Sequence, residues 1–301
     1  MLAIVLLLAI LILIFRTPDI PLAELLPVYA NQSSQFYQTQ GMQIHYRDEG
    51  PGTDKLPLVL LHGTGSSLHT WDSLVLQMPE KRIIRLDLPG FGLTGPHPLR
   101  NYSPENTGKI IDDLLQYLQI DSCIIAGNSL GGFIAWAYAL DHPRARKMIL
   151  IDAAGFRSTS GGKNLGFQLA RMPLVNQLVK VVTPRSLVRK SLEQSYGDPA
   201  KVSEALVERY YAMNCRAGNR QAMIDRMRLP FTGDTSRLRQ LQIPVLILWG
   251  QKDQLIPVSQ ADKFAAILPH NQKIIFPALG HVPMEEAPGE IAGSIRNWLI
   301  Q

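Results

Sequence analysis

The stretch from Ser122 to Leu140 constrains the fold of this chain more than any other. An apolar run, S-C-I-I-A, ends in G-N-S-L-G-G and is followed at once by an apolar helical pattern. Gly-x-Ser-x-Gly between a strand and a helix is typical of a sharp turn that presents a serine hydroxyl at the edge of a sheet. The free N–H groups at the start of the helix favour negative charge at the same place. We therefore predict that Ser129 is a nucleophile. The alternative for the motif alone is a glycine-rich turn in an unrelated α/β protein.

Short apolar runs alternate with helical patterns on both sides of this turn. Uninterrupted runs such as L-P-L-V-L-L indicate strands that are covered on both faces. Their alternation with helices predicts a mostly parallel sheet flanked by helices. The alternation stops between residues 156 and 240, where the pattern is mainly helical. The sequence therefore predicts a core made of residues 41–155 and 241–301, with a helical cap, residues 156–240, inserted between the two parts.

The N-terminus is the most apolar part of the chain. Residues 1–15 are uncharged and apolar without a break. As a helix they would reach ~22 Å, less than the ~30 Å hydrocarbon core of a bilayer. We predict that residues 1–16 form an uncleaved membrane anchor and that residues 17–40 form a tether with a short helix at Leu22–Tyr29. The catalytic domain would then lie outside the bilayer, and we favour its extracytoplasmic side. The alternative is a cleaved signal segment and a secreted or periplasmic protein.

Composition excludes several classes of function. A net charge of +5 is small for 301 residues, and no run of basic and aromatic residues predicts nucleic-acid binding. The two cysteines are Cys123, inside a predicted core strand, and Cys215, so we predict neither a disulfide nor a cysteine metal site. We expect no metal or organic cofactor. The cap holds 15 Lys and Arg against 6 Asp and Glu, which fits a solvated surface, an anionic membrane or an anionic substrate.

A serine nucleophile needs a base and an acid that orients the base. His281 lies in A-L-G-H-V-P after the last predicted strand, and Asp253 lies in W-G-Q-K-D after the preceding strand. Ligand sites of open α/β sheets lie at the carboxyl ends of the strands. We therefore predict that Ser129, Asp253 and His281 form a catalytic triad. Asp152 also ends a strand and is a rival acid, but we interpret it as a residue that holds the cap hinge.

The tetrahedral intermediate of acyl transfer needs two N–H donors. We predict that the backbone amides of Thr64, in the loop H-G-T-G, and of Leu130 supply them. His62 precedes the glycines of that loop, so we interpret it as a residue that fixes the loop by hydrogen bonds.

Five motifs together resemble the α/β-hydrolase family: H-G-T-G at 62–65, D-L-P-G-F-G at 87–92, G-N-S-L-G-G at 127–132, G-Q-K-D at 250–253 and G-H at 280–281. The resemblance covers about residues 40–300 and implies the α/β-hydrolase fold. Within the family the chain is similar to capped serine esterases and lipases and to hydrolases of meta-cleavage products. A serine at position 129 separates it from the branches that use an aspartate nucleophile.

We expect an esterase or lipase that cleaves small-molecule carboxylic esters through an acyl-enzyme. A set of apolar cap residues suggests medium or long acyl chains, although the same residues would also suit a cap core: Phe167, Leu169, Met172, Leu174, Val175 and Leu178. The first alternative is a carbon–carbon hydrolase of ring-cleavage products, whose carboxylate the cap arginines would bind. The second is a non-catalytic, membrane-tethered binding protein on the same fold. The oligomeric state stays open.

Overall fold

The computed structural model describes residues 15–156, 168–169, 172, 175–230 and 232–301. Its centre is an eight-stranded sheet in the spatial order β1-β2-β4-β3-β5-β6-β7-β8. The pairs β1–β2 and β2–β4 are antiparallel, and the other neighbours are parallel, which confirms the prediction of a mostly parallel sheet. The strands are β1 Ser34–Thr39, β2 Met42–Glu49, β3 Leu58–Leu61, β4 Ile83–Leu86, β5 Cys123–Asn128, β6 Ala145–Ile151, β7 Val245–Gly250 and β8 Asn271–Phe276.

Helices flank this sheet and cover its carboxyl edge. They are α1 Leu22–Tyr29, α2 Asp72–Leu76, α3 Pro104–Tyr117, α4 Leu130–Asp141, α5 Val175–Val181, α6 Arg185–Glu193, α7 Glu204–Cys215, α8 Asn219–Arg228, α9 Ser259–Ile267, α10 Pro283–Glu286 and α11 Pro288–Leu299. Short 3-10 helices lie at Leu68–Trp71, Pro199–Lys201 and Thr235–Gln240. Ser103 caps α3 by accepting from the Asn106 amide, with proline at the first helical position, as the sequence predicts.

The sheet separates two apolar layers, because successive strand residues point to opposite faces. In β5, Ile125 packs with α3, α4 and α9, whereas Ile124 and Ala126 pack on the other face with α2 and α11. All four residues of β3 and of β4 are buried. This two-sided burial explains why the strands have continuous apolar sequences.

The segment between residues 17 and 40 differs from the tether that the sequence predicts. The short helix is present as α1, but it is followed by β1, an edge strand. The strand sequence S-Q-F-Y-Q-T alternates between half-buried and exposed residues, so it has little apolar signal. The segment is also bonded to the cap: the Thr17 amide donates to the Val181 carbonyl at 2.8 Å, and Arg220 donates to Asp19 at 2.6 Å.

The chain between β6 and β7 contains helices α5 to α8, in the stretch where the sequence predicts a helical cap. The predicted anchor, apart from Phe15 and Arg16, lies outside the described residues. No helix in the described part of the chain has the length and apolarity to cross a membrane.

Candidate active site

Ser129 sits on a strained turn between β5 and α4. Its φ of 55° and ψ of −115° are unusual for a residue with a side chain. The turn is held by backbone hydrogen bonds: the Ser129 amide donates to the Ile151 carbonyl at 3.1 Å, and the Ser129 carbonyl accepts from Ala154 at 2.9 Å. The local sequence therefore builds a rigid strand-to-helix elbow with the serine at its apex.

The glycines of this turn are required by close backbone contacts. A Cβ on Gly127 would lie 2.1 Å from the Gly131 carbonyl oxygen, and one on Gly131 would lie 2.1 Å from the Leu61 carbonyl oxygen. A Cβ on Gly132 would lie 2.5 Å from the Ala153 Cβ. Each contact is far below van der Waals distance, so G-N-S-L-G-G lets α4 pack directly against β3 and β6.

His281 and Asp253 are hydrogen-bonded, with 2.7 Å between Nδ1 and Oδ2. Both side chains are nearly fully buried. The Asp253 Oδ1 atom accepts from the amides of Leu255 and Ile256, at 2.7 and 3.0 Å, which fixes the carboxylate. Because Nδ1 faces a carboxylate, we assign the Nδ1–H tautomer, in which Nε2 is free to accept a proton.

The structure brings Ser129 to the same edge of the sheet as this pair. The Asn128 side-chain amide donates to the His281 carbonyl at 2.8 Å and to the Ile151 carbonyl at 3.2 Å. No hydrogen bond joins Ser129 Oγ to His281 Nε2 within the described structure. Such catalytic hydrogen bonds are commonly long without substrate and shorten in the reacting complex.

One predicted oxyanion donor, Leu130, follows Ser129 directly, and the other, Thr64, lies in the loop after β3. We call His62–Gly65 the oxyanion loop. A Cβ on Gly63 would lie 3.2 Å from the Ser129 Cβ, so this loop is packed against the elbow. Thr64 and Leu130 are both partly exposed. Their backbone amides donate to no group in the part of the chain that the structure describes, which leaves both available to an oxyanion.

His62 is bound at both ring nitrogens. Nδ1 lies 2.8 Å from the Gly63 carbonyl, and Nε2 accepts from the Leu88 amide at 3.0 Å. Burial lowers the pKa of His62, so its ring is neutral. A neutral imidazole with both nitrogens engaged fixes the loop and has no free atom to act as a base.

Asp152 lies beside Asp253 at the end of β6. It is fully buried, and its Oδ1 atom accepts from the Gly250 amide at 2.9 Å, which joins the ends of β6 and β7. Burial, and then the charge of Asp253, raises the pKa of Asp152 well above its usual range. A raised pKa favours the neutral, protonated form of this carboxyl group, and its buried Oδ2 atom has no hydrogen-bond partner in the described structure. Asp152 forms no hydrogen bond with His281 in the described structure.

Asp152, Asp253 and His281 each offer one atom that lies within 4.8 Å of the others. The free electron pairs of this set are largely used already. Asp253 accepts three N–H groups, and Asp152 accepts one. We therefore interpret the three residues as a hydrogen-bonded set that orients the imidazole, and this is poor ligation for a metal ion.

Sequence reasoning missed the residues that hold the His281 loop. Glu286 accepts from the Gly280 amide at 2.7 Å and from the Gly197 and Asp198 amides at 2.9 and 3.0 Å. The His281 amide donates to the Ser195 carbonyl at 2.7 Å. The cap and the histidine loop are thus joined by one buried carboxylate. An acidic residue five positions after the histidine was the available signal.

The cap is also bonded to the oxyanion loop. The Asn214 side chain, on α7, donates to the Gly65 carbonyl at 2.9 Å, and the Tyr210 hydroxyl lies 3.1 Å from Ser66 Oγ. Tyr210 also donates to Glu285, which accepts from Arg209 at 3.0 Å. The conformation of this loop therefore depends on the position of α7.

Comparison with known proteins identifies the family of this chain. The model of the alpha/beta hydrolase fold family matches residues 57–288. Lipase 1 of Psychrobacter immobilis is 30% identical over 247 residues, which are 80% of this chain and 75% of that protein. The 2-hydroxy-6-oxo-2,4-heptadienoate hydrolase of Pseudomonas putida is 28% identical over 267 residues, or 83% of this chain and 91% of that protein.

Two solved structures are similar to this chain over most of its length. A meta-cleavage product hydrolase from Pseudomonas fluorescens IP01 has a TM-score of 0.77 and 24% identity, covering 89% of this chain and 98% of its own. A membrane phospholipase A, described as a bacterial virulence factor, has a TM-score of 0.75 and 26% identity. This second match covers 99% of this chain and 96% of the phospholipase chain.

Proposed function

This chain belongs to the α/β-hydrolase family, and we propose that it hydrolyses carboxylic esters through an acyl-enzyme on Ser129. The observation that carries the proposal is the elbow geometry of Ser129, with its φ of 55°, beside the buried His281–Asp253 pair at 2.7 Å. A serine hydroxyl at a fixed apex, a base oriented by a carboxylate and two free amides are the parts that acyl transfer needs.

In the first half-reaction His281 Nε2 takes the proton of Ser129 Oγ as this oxygen attacks the ester carbonyl carbon. The amides of Thr64 and Leu130 donate to the resulting oxyanion, and Asp253 stabilises the imidazolium. The tetrahedral intermediate collapses as the imidazolium gives its proton to the leaving alcohol. Water, deprotonated by His281, then attacks the acyl-enzyme and releases the acid and the free serine.

We further propose that the acyl group of the substrate is apolar. It is supported by the similarity to a lipase and to a phospholipase A. Of the apolar cap residues, Phe167 and Leu174 lie outside the described residues, whereas Met172 and Leu178 are 49% and 47% exposed. The exposure of Met172 and Leu178 fits a cap that contacts acyl chains or a lipid surface better than a closed cap core.

Hydrolysis of p-nitrophenyl esters of increasing acyl length tests the proposal, with the full chain in detergent and its Ser129→Ala variant. We expect turnover that depends on Ser129 and has a maximum at one chain length. Equal turnover by the Ser129→Ala variant would overturn the assignment of the nucleophile.

A carbon–carbon hydrolase is the second candidate, and the similarity to the Pseudomonas putida hydrolase favours it. It would use the same triad on a vinylogous diketone acid. Arg209 is already paired with Glu285 at 3.0 Å. This pairing disfavours a role for Arg209 in binding the substrate carboxylate. Loss of absorbance of a coloured ring-cleavage product, with no ester turnover, would favour the second candidate.

We also propose that residues 1–16 bring the enzyme to a membrane surface, as an anchor or as a segment that inserts partly. The excess of basic residues in the cap would add attraction to anionic lipid. Sedimentation with vesicles of phosphatidylglycerol tests this. We expect the full chain to pellet and a variant lacking residues 1–16 to pellet less. Equal sedimentation of the two would contradict a role for the segment.

A further inference from the structure

Arg226 is a half-buried cation that the proposed mechanism does not use. It lies on α8 in the cap, and its Nη1 atom is closed off from solvent without a hydrogen-bond partner. Its guanidinium forms no hydrogen bond or ion pair with any described residue. All 25 Asp and Glu residues of the chain are among the described residues, so no carboxylate of this chain neutralises Arg226.

Three other arginines of the cap are paired with carboxylates. Arg185 donates to Glu208 at 2.7 Å, Arg209 donates to Glu285 at 3.0 Å, and Arg220 donates to Asp19 at 2.6 Å. Leaving a buried charged donor without an acceptor is unfavourable, because the group loses its hydration and gains nothing in return. An unpaired guanidinium among paired ones therefore needs an explanation.

Arg226 lies close to an aromatic ring that packs against the oxyanion loop. Its guanidinium carbon lies 5.7 Å from the centre of the Phe91 ring, and that ring lies 5.6 Å from the His62 ring in the oxyanion loop. Met223, on the same face of α8, places its Cε 3.7 Å from the Cβ position of Gly65. The face of α8 that carries Arg226 thus covers the loops beside Ser129.

Arg226 stays charged in this place. Burial lowers its pKa to about 10, which is still far above neutral pH. The cation is half-buried as a whole, so part of it is open to a bound molecule. Its neighbours are mostly uncharged: the Phe91 ring, the neutral ring of His62, and Tyr102, whose hydroxyl already bonds the His97 amide at 3.2 Å.

We propose that Arg226 binds an oxyanion group of the substrate, a carboxylate or a phosphate, beside the Ser129 site. The guanidinium fork matches the oxygen geometry of either group, and hydrogen bonds from a charged donor to an anion are stronger than those between neutral groups. The description of the substrate as an anionic ester rests on the proposed function. The anion can be carried by the acyl part or by the alcohol part, and matched substrates separate these two sources.

The test compares kcat/KM for two matched pairs of esters. The first pair, mono-4-nitrophenyl adipate and 4-nitrophenyl hexanoate, differs by a carboxylate on the acyl side. The second pair, 1-octanoylglycerol 3-phosphate and 1-octanoylglycerol, differs by a phosphate on the alcohol side. We expect Arg226→Gln to lower the ratio of anionic to neutral kcat/KM by about tenfold or more for one pair. An unchanged ratio for both pairs would overturn the proposal.

Two further variants control this experiment. Arg228→Gln removes an exposed arginine two residues along the same helix, and the ratio should stay as in the unmodified chain. Arg226→Lys keeps the charge but loses the fork, so its ratio should fall less than that of Arg226→Gln. A third measurement tests inorganic phosphate as a competitive inhibitor of ester hydrolysis. Competitive inhibition that disappears in Arg226→Gln while both ratios stay unchanged would identify a site for free anion and contradict a substrate site.

A measurement of stability separates binding from a structural role. Arg226→Met replaces the unpaired cation by an apolar side chain of similar length. If the guanidinium is held for a ligand, this variant should have a melting temperature equal to or above that of the unmodified chain. A clear decrease would identify Arg226 as part of the cap structure.

Failure of this proposal can be distinguished from failure of the proposed function. If no ester is hydrolysed, the binding of octyl phosphate and of octanol is compared by calorimetry in the unmodified chain and in Arg226→Gln. Preference for octyl phosphate that depends on Arg226 would support the anion site without ester hydrolysis. Ester hydrolysis that depends on Ser129 with no charge preference would leave the proposed function intact and remove the anion site.

Discussion

The molecule contains two sets of Ser, His and Asp whose His–Asp pairs have the same separation. In one set, His281 Nδ1 lies 2.7 Å from Asp253 Oδ2, beside Ser129. In the other, His45 Nδ1 lies 2.7 Å from Asp87 Oδ2, and His45 Nε2 lies 2.9 Å from Ser34 Oγ. Judged by distances alone, the second set is the more complete triad.

The surroundings of the two serines differ. Ser34 Oγ also accepts from the Asn31 amide and from Arg47 Nε, both at 3.1 Å, so its lone pairs are engaged. His45 and Asp87 are fully buried. Ser34 has no strained turn, and no helix begins at it to supply free amides for an oxyanion. The second set therefore joins β1 and β2 to the loop after β4.

Ser129 has the strained turn and the free backbone amides that are absent at Ser34. Its backbone is held in a strained conformation at the start of α4, and the amides of Thr64 and Leu130 are free beside it. This comparison teaches that a nucleophile is recognised by its accessibility and its oxyanion donors more than by the hydrogen bonds of the His–Asp pair.

The largest expected difference between the two sets is the effect of removing each serine. We predict that Ser129→Ala lowers kcat by about five orders of magnitude, because the members of a triad act as a unit. Ser34→Ala should change kcat by less than about threefold, since it removes one hydrogen bond far from the reacting atoms. Both are measured with the p-nitrophenyl ester of the preferred chain length. Similar losses in the two variants would contradict the comparison.

Substitution of Asp253 should affect activity, whereas substitution of Asp87 should affect stability. Asp253→Asn should lower kcat by about 10⁴-fold, because the imidazole loses the partner that fixes its tautomer. Asp87→Asn should instead lower the free energy of unfolding by about 3 kcal/mol, because it breaks a buried charged pair. Urea unfolding and steady-state kinetics on the folded protein give the two values. A large loss of kcat in folded Asp87→Asn would assign a catalytic role to the second set.

Asp87 also predicts a pH dependence of stability. Burial alone would raise the pKa of Asp87, but the charge of His45 and its hydrogen bond hold this pKa well below the usual range. A carboxylate with a depressed pKa stabilises the fold above about pH 4 and loses this contribution as the pH falls further. The unmodified chain should therefore lose stability below pH 4 more steeply than Asp87→Asn. If the free energy of unfolding fell equally steeply with pH in both proteins, Asp87 would not be the cause of the acid destabilisation.

A smaller effect is expected for the side chain next to the nucleophile. Asn128 bonds the carbonyls of His281 and Ile151 and thus fixes the distance between the elbow and the histidine loop. We predict that Asn128→Ala lowers kcat/KM by about tenfold, the equivalent of one lost buried hydrogen bond. Reaction of Ser129 with a fluorophosphonate should slow by a similar factor. An unchanged rate would mean that the loop is positioned by Glu286 alone.

The smallest effect is expected at Asp152. The raised pKa of Asp152 favours its neutral form, so we predict that the neutral substitute Asp152→Asn keeps kcat/KM within about threefold, with the acid limb of the pH profile in place. If Asp152 were charged, its removal would instead move the acid limb to lower pH. The raised pKa of Asp152 also destabilises the fold increasingly above about pH 4, and Asp152→Asn should remove this penalty. A shift of the acid limb would contradict the assigned proton.

Local patterns explain what could be predicted from the sequence. The elbow is encoded within one strand, one turn and one helix, so Gly127, Ser129 and Gly131 are recognisable without the rest of the chain. The continuous apolar strands are recognisable because helices cover both faces of the sheet. Asp253 and His281 are predictable because each follows a core strand, β7 and β8 respectively, and the structure joins them across 28 positions in the sequence.

Long-range contacts explain what could not be predicted. The polar edge strand β1 is fixed by pairing with β2, which its own sequence does not specify. The hydrogen bond of Asp87 to His45 spans 42 positions, and the proximity of Asp152 to Asp253 depends on the order of β6 and β7 in the sheet. The unpaired state of Arg226 follows from where every carboxylate of the chain lies, and no local pattern contains that information.

Labelling with a fluorophosphonate, followed by intact mass and peptide mapping, tests the central claim most directly. The unmodified chain contains both sets, so a single experiment compares the two serines in one molecule. We predict one adduct per chain, on the peptide that contains Ser129, and no adduct in Ser129→Ala. An adduct on Ser34, or an unlabelled Ser129 in folded protein, would contradict the assignment of the nucleophile.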